Sequence, residues 1–315
     1  MLKLISQRVG IGILTLFVAS FLIFIGVDLL PGDLATHLLA NNATPENLAA
    51  LRLELHLNDP WYQRYWGWLS HLVQGDFGTS LSNKRPILDD LAPRAANTFF
   101  LATYAAIIAV PLAVTIGIIA AIRQGGIFDR TVNVVTLFSI SVPEFFIGYV
   151  LVMLFAVKLR FFPVLSNVTP ETEFFRRLYM TFMPMATMVM VVVAHMMRMT
   201  RASVLAVMAS PYIEMAILKG LPKWRIVVQH ALPNALAPIL NVVALNLAYL
   251  IVGVVVVEVV FVYPGMGQWI VDSASKKDMP VVQACGIIFA AVFISLNILA
   301  DLLAIITNPR LRHPR

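Results

Sequence analysis

Ser210-Pro211-Tyr212-Ile213-Glu214-Met215-Ala216-Ile217-Leu218-Lys219-Gly220-Leu221-Pro222 reads as a short helix stopped at both ends. Ser210 is a residue type that caps helices, and Pro211 fits the first helical turn, where its missing N–H costs nothing. Lys219 falls near the negative end of the helix dipole, and Gly220 can adopt the left-handed conformation that ends a helix. The helix is about nine residues, roughly 13 Å long. Pro222 opens a second helical stretch, 223–232, which feeds past Pro233 into an apolar run. Such a helix has two readings of about equal weight: a rigid peg that seats in a partner's groove and passes motion to its flanking segments, or a linker lying on a bilayer.

The flanking runs explain why a bilayer enters. Of the 315 residues, 59% are apolar and 13% charged, and the mean hydropathy is +0.83. A water-soluble domain carries about a quarter charged residues, so lipid must replace water over much of this surface. A helix needs roughly 20 apolar residues to cross a bilayer, and six runs meet or approach that: 9–27, 98–122, 131–157, 178–197, 231–257 and 279–300. The expected fold is an all-α integral membrane protein of six transmembrane helices. Lys3 and Arg8 before the first run resemble a signal peptide, but the run is long for a signal core and no small-x-small site precedes Leu30-Pro31, so an uncleaved helix is expected.

Six spans put both termini on one side. The set 1–8, 123–130, 198–230 and 307–315 holds twelve Lys and Arg, and the opposite set eleven. Loops beyond roughly 60 residues do not vote in the positive-inside rule, and dropping 28–97 leaves twelve against six. Both termini are therefore expected in the cytoplasm. The same loops account for the net charge of +6 without a nucleic-acid partner. The single cysteine, Cys285, makes no intrachain disulfide and no cysteine-based metal site. The organisation expected is a first span plus a long helical extracytoplasmic loop over 1–97, a five-helix core over 98–309 with the inner loop 198–233, and a short basic tail over 310–315.

The outer loop has order of its own. Thr44-Pro45-Glu46 is a helix start, with Leu48, Leu51 and Leu55 then on one face. Asp59-Pro60 starts a second helix bearing Trp61, Tyr62, Tyr65, Trp66, Trp68, Leu69 and Leu72, which Gly75 ends. That aromatic density suits the membrane–water interface or subunit packing, and less well a sugar-stacking surface.

Glu214-Met215-Ala216, three residues, Gly220, nine residues and His230-Ala231-Leu232-Pro233 together resemble the signature loop of bacterial binding-protein-dependent ABC importer permeases. The pattern there is Glu-Ala-Ala, three residues, Gly, nine residues, Ile-x-Leu-Pro. The spacing matches, and the departures are Met215 and His230. The peptide/opine/nickel branch is resembled by Leu30-Pro31-Gly32-Asp33, Asp59-Pro60-Trp61, the run 75–80, Ser141-Val142-Pro143, Arg198-Met199-Thr200-Arg201 and the run 258–267, an ordered set that covers essentially the whole chain.

The resemblance implies the type I importer permease fold in the bacterial cytoplasmic membrane. This chain would form half of a pore for di- or oligopeptides, with nickel or opines as the alternative cargo. The implied partners are a second, related permease, two cytoplasmic ATP-binding subunits that hold ATP and Mg²⁺, and an extracytoplasmic substrate-binding protein. Tyr212, Ile213, Glu214, Ala216, Gly220, Leu221 and Pro233 would carry ATPase coupling.

Charged groups within spans mark candidate pore or gate positions. Glu144 follows Pro143, where a kink is expected; Glu258 and Asp301 lie at the ends of runs, where a bland bond to a neighbouring loop is at least as good a reading for Glu258. His195 is a lone histidine and no metal site, and the methionines around 180–199 suit adaptable packing between helices. No Gly-x4-Gly-Lys-Ser/Thr, His-Glu-x-x-His or Gly-x-Ser-x-Gly occurs, so neither a cofactor nor catalysis is expected on this chain. A stand-alone carrier would have no use for the inner helix. An intramembrane enzyme would need paired groups, and nothing orients Ser141 towards His195.

Overall fold

The computed structural model describes residues 2–29, 39, 44–54 and 58–307. Leu30-Pro31-Gly32-Asp33, Leu55 and the basic tail 310–315 lie outside the described residues. In chain order the helices are α1 (Leu2–Asp28), α2 (Pro45–Glu54), α3 (Trp61–Val73), α4 (Ile87–Ile122), α5 (Ile127–Ser141), α6 (Glu144–Leu151), α7 (Phe174–Met180), α8 (Phe182–Met208), α9 (Pro211–Leu218), α10 (Leu232–Val260), α11 (Met266–Ser275) and α12 (Met279–Thr307). α6 runs on as a widened π-helical stretch, Val152–Lys158, and a second such stretch, Ile226–Ala231, leads into α10. Helices are the expected answer in lipid, where every backbone N–H and C=O must be satisfied within its own segment.

Among the described residues, five stretches are long and apolar enough to cross a membrane: Ile5–Asp28, Ile87–Ile122, Phe182–Met208, Ile226–Val260 and Met279–Leu303. The sixth expected span is a helix pair, α5 and α6, bent by 101°. The bend has a local cause. Proline disfavours the helical region for the residue before it, and Val142 is extended at φ −96, ψ 130, with Pro143 at φ −59, ψ 141.

Helix ends depart from the apolar runs where a helix continues beyond its apolar part. α4 begins eleven residues before the run at 98, on a turn carrying Asp89 and Asp90 at its positive end. α8 begins later than expected, after a break at Thr181, and extends to Met208 through Arg198 and Arg201.

The chain divides into two compact units, each discontinuous in sequence. The first comprises Met1–Gly12, Phe99–Tyr263 and Val292–Arg315. Its interior is built from small and flexible side chains, with Ala113 against Met196, Met197 and Val242, and Ala121 against Val204, Ala235 and Ile239. α4 and α8 approach closely at Gly117, where a Cβ would meet the Met197 carbonyl oxygen at 2.8 Å. Small residues permit such approaches between helices in lipid. Asp129 ties α5 to α8: it accepts from Arg201 Nε at 2.6 Å and Nη2 at 2.8 Å, from the Gly125 N–H at 2.9 Å and from Asn133 Nδ2 at 2.8 Å.

The second unit comprises Ile13–Thr98 and Pro264–Ala291. Its core gathers Ile87, Leu91, Met266, Trp269, Val281, Ala284 and Cys285. Buried Asp278 accepts from the Ser80 hydroxyl and from the Leu81 and Ser82 N–H groups, which pins the loop after Gly75-Asp76-Phe77-Gly78. The aromatic helix α3 forms as expected. Thr44 Oγ1 accepts from the Asn47 N–H at the start of α2, and Gly75 takes φ +82 after α3. Tyr65 packs edge-on against Phe21 and Phe24 of α1 and bonds Ser20 through its hydroxyl at 2.9 Å. Trp61, Tyr62 and Trp66 remain exposed.

Candidate functional site

α9 is eight residues long, about 12 Å by helix rise, one residue shorter than expected. Its end is a complete Schellman motif. Gly220, at φ +76, donates its N–H to the Ile217 carbonyl at 2.9 Å, and Leu221 donates to the Ala216 carbonyl at 3.3 Å. Nothing lies within 4 Å of where a Gly220 Cβ would stand, so the glycine is required by backbone conformation and not by space. At the other end Ser210 has the extended backbone of a cap at φ −80, ψ 147, but its hydroxyl makes no cap bond and instead donates back to the Val207 carbonyl. The expected side-chain cap is therefore replaced by closure of the end of α8. Pro211 holds the first turn, as expected.

The residues of α9 divide between two faces. Ile213 and Ala216 are buried and pack with Ile226 and Ala231, with Leu221, Val207 and Met208 around them. They anchor the helix to its own chain. Tyr212, Glu214, Met215 and Leu218 are exposed, with Leu218 74% accessible. Exposed Trp224 extends this surface beyond the helix end. Of the expected coupling residues, Tyr212, Glu214 and Gly220 face outward, Ile213 and Ala216 face inward, Leu221 is half-buried, and Pro233 is exposed at the start of α10. Sequence reasoning passed over Met215, Leu218 and Trp224. Their signal was helical spacing: Met215 and Leu218 lie three apart, on the face opposite the Ile213–Ala216 pair.

The segment after Pro222 explains how α9 is joined to α10. Proline inside a helix removes an N–H and crowds the preceding turn. The widened turn over Ile226–Ala231 precedes Pro233, and Asn234 Nδ2 donates to the His230 carbonyl at 2.8 Å. Beyond the non-helical link at 219–222, the backbone is continuously helical from Lys223 through Ile226–Ala231 into α10.

The candidate pore positions sit elsewhere. Pro143 is the corner between α5 and α6. Glu144 is half-buried beside α10, its carboxylate in the space a Gly253 side chain would approach, at 3.4 Å. Glu258 is fully buried near the end of α10, some 39 Å by helix rise from Leu232. It belongs to a tied turn, in which Tyr263 donates its N–H to the Glu258 carbonyl at 2.9 Å and Arg177 reaches the Tyr263 hydroxyl at 3.4 Å while lying 4.0 Å from the Phe100 ring centroid. Burial pushes the Tyr263 phenol up to about 12, against the pull of Arg177, so it is a neutral hydroxyl at physiological pH. Asp301 is paired with Arg8 at 2.8 Å. The structure therefore does not bring the acids and α9 into one site.

Residues 113–313 match the family of binding-protein-dependent transport system inner membrane components, and residues 1–102 match the N-terminal part of such membrane components. The dipeptide transport system permease protein DppB of Escherichia coli (strain K12) is 31% identical over 339 residues, covering 100% of both chains. The glutathione transport system permease protein GsiC of Escherichia coli (strain K12) is 34% identical over 313 residues, covering 99% of this chain and 100% of its own. GsiC of Shigella dysenteriae serotype 1 (strain Sd197) matches to the same extent. With its apolar helices and these matches along its length, the chain belongs to the inner-membrane components of binding-protein-dependent transport systems, as a multi-pass permease subunit of an ABC transporter.

Proposed function

We propose that this permease forms one half of the translocation pore of an ATP-driven importer of di- or oligopeptides. The dipeptide and glutathione names of its full-length relatives support the cargo class. The other half is a second, related permease. Two cytoplasmic ATP-binding subunits supply the energy, one of them seated on α9, and an extracytoplasmic binding protein delivers the peptide. Hydrolysis belongs to those ATPases, and both termini of this chain lie with them in the cytoplasm.

The observation that carries this reading is the division of α9 into two faces. Ile213 and Ala216 fasten it to its own bundle, while Tyr212, Glu214, Met215 and Leu218 are presented outward with Trp224. A linker lying on lipid would need no such rigid stop, whereas a groove-filling peg needs apolar anchors and a fixed end. Substituting Gly220→Val tests it. A β-branched residue at φ +76 is strained whatever the space around it. The variant is expected to insert and assemble but to lose most substrate-stimulated ATPase activity in proteoliposomes. Stimulation equal to the wild type would overturn the coupling role of α9.

A further inference from the structure

α8 carries one stripe that its own chain leaves uncovered. His195, Arg198, Met199, Ala202 and Ala206 are exposed, at the spacing that puts residues on one helix face. Between them Met196, Met197, Thr200 and Val204 are buried. His195 is thirteen residues from either end of α8, about 20 Å each way. Neither His195 nor Arg198 makes an ion pair or side-chain hydrogen bond among the described residues, whereas Arg201, one turn on, is spent on Asp129.

The composition of this stripe differs from that of faces turned to lipid. The middle of α5 exposes Val134, Val135, Leu137 and Phe138, and its ends expose Ile127, Arg130, Thr131 and Ser141. The first part of α8 exposes Phe182 and Met190, whereas the stripe further along exposes a histidine, an arginine, a methionine and two alanines. An unpaired guanidinium inside a span is costly against hydrocarbon and is found facing water-filled cavities or substrate paths. Small alanines beside it leave room. We propose that the α8 stripe centred on His195 and Arg198 lines the aqueous translocation path, with the Arg198 guanidinium receiving the free carboxylate of the peptide in transit. The carboxylate rests on the peptide reading above; the aqueous path does not.

The test uses the complete transporter in proteoliposomes with its ATPases, partner permease and binding protein. In a Cys285→Ala background, which removes the buried native thiol, Arg198→Cys and Ala202→Cys are expected to react with a charged, water-soluble thiol reagent. Saturating peptide with ATP should slow that reaction several-fold. Thiols inert in every nucleotide state would overturn the aqueous path and point to burial against lipid or the partner permease. In the transport arm, Arg198→Gln should lower import of a free-carboxylate dipeptide about tenfold, the size of a lost charge-assisted hydrogen bond. Arg198→Lys should keep most of it. The preference for free over C-amidated peptide should shrink in Arg198→Gln, and because the binding protein is the same in both, its own preference cancels. An unchanged preference would overturn the carboxylate contact. If the wild type imports neither peptide, the cargo reading fails, and the thiol arm still decides the path.

Discussion

Asp129 is a single carboxylate that holds a junction between two membrane helices. It is 3% exposed, and its carboxylate accepts four hydrogen bonds, from Asn133, the Gly125 turn and both Arg201 nitrogens. Removing one partner of a buried ion pair leaves the other charge uncompensated, at a cost of about 3–5 kcal/mol. Asp129→Ala should therefore lower the midpoint of unfolding in detergent sharply. The double variant Asp129→Leu/Arg201→Met should recover part of the loss, since a buried pair replaced by apolar side chains is often neutral. Equal midpoints for Asp129→Ala and the wild type would show the pair to be idle. This junction was invisible in the chain because its partners are 72 positions apart: Arg201 ends the Arg198-Met199-Thr200-Arg201 stretch, but nothing local names the acid it meets. Gly220, by contrast, was legible. A glycine following a lysine at the end of a short capped helix has a backbone reason to be there, and φ +76 is that reason. Ser210 looked just as legible, but its hydroxyl serves the end of α8 instead; a hydroxyl between two helices can satisfy either, and local pattern does not choose.

At the scale of the element, the corner between α5 and α6 has a chemical origin that can be removed. Val142 is extended because a proline follows it. Pro143→Ala lifts that restriction and restores an N–H, so the two helices can join into one. Spin labels at Val135 and Val150, both exposed, should move apart in Pro143→Ala, and import should fall while the subunit still inserts. An unaltered distance would assign the 101° bend to packing, not to proline. The α4–α8 contact offers a second test. A side chain at Gly117 would strike the Met197 carbonyl and Thr200. Gly117→Leu should cost about 1–3 kcal/mol as overpacking, again read from the unfolding midpoint. The existence of these helices was readable from apolar runs, because a run of that length in lipid has few other solutions. Their ends were not, because amphipathic turns such as Ile87–Asn97 continue a helix without adding to the run.

For the whole molecule, coupling through α9 depends on which side of the membrane each loop occupies, and the bent pair makes that a question of parity. Five crossings would put the two chain ends on opposite faces, and six put them together. With Arg198 and Arg201 left out because they lie within α8, the Lys and Arg excess is ten against six once the 28–97 loop is set aside, and it favours six with both ends in the cytoplasm. In that case α5 and α6 cross the bilayer despite their corner, so the turn at Gln124 and the loop at Glu171 lie on opposite faces; if the pair instead dips in and returns, they lie on the same face. Gln124, Glu171, Lys219, Ser82 and Lys276 are all exposed, so each accepts a single cysteine in the Cys285→Ala background. With an impermeant thiol reagent on intact cells, Ser82→Cys, Glu171→Cys and Lys276→Cys should label, while Gln124→Cys and Lys219→Cys should label only after the membrane is opened. Labelling of Lys219→Cys from outside would place α9 beyond the reach of any nucleotide-driven partner. Labelling of Gln124→Cys and Glu171→Cys from one face would make the α5–α6 pair re-entrant and separate the termini, and the charge count along the loops would then have no bearing on which way the subunit faces.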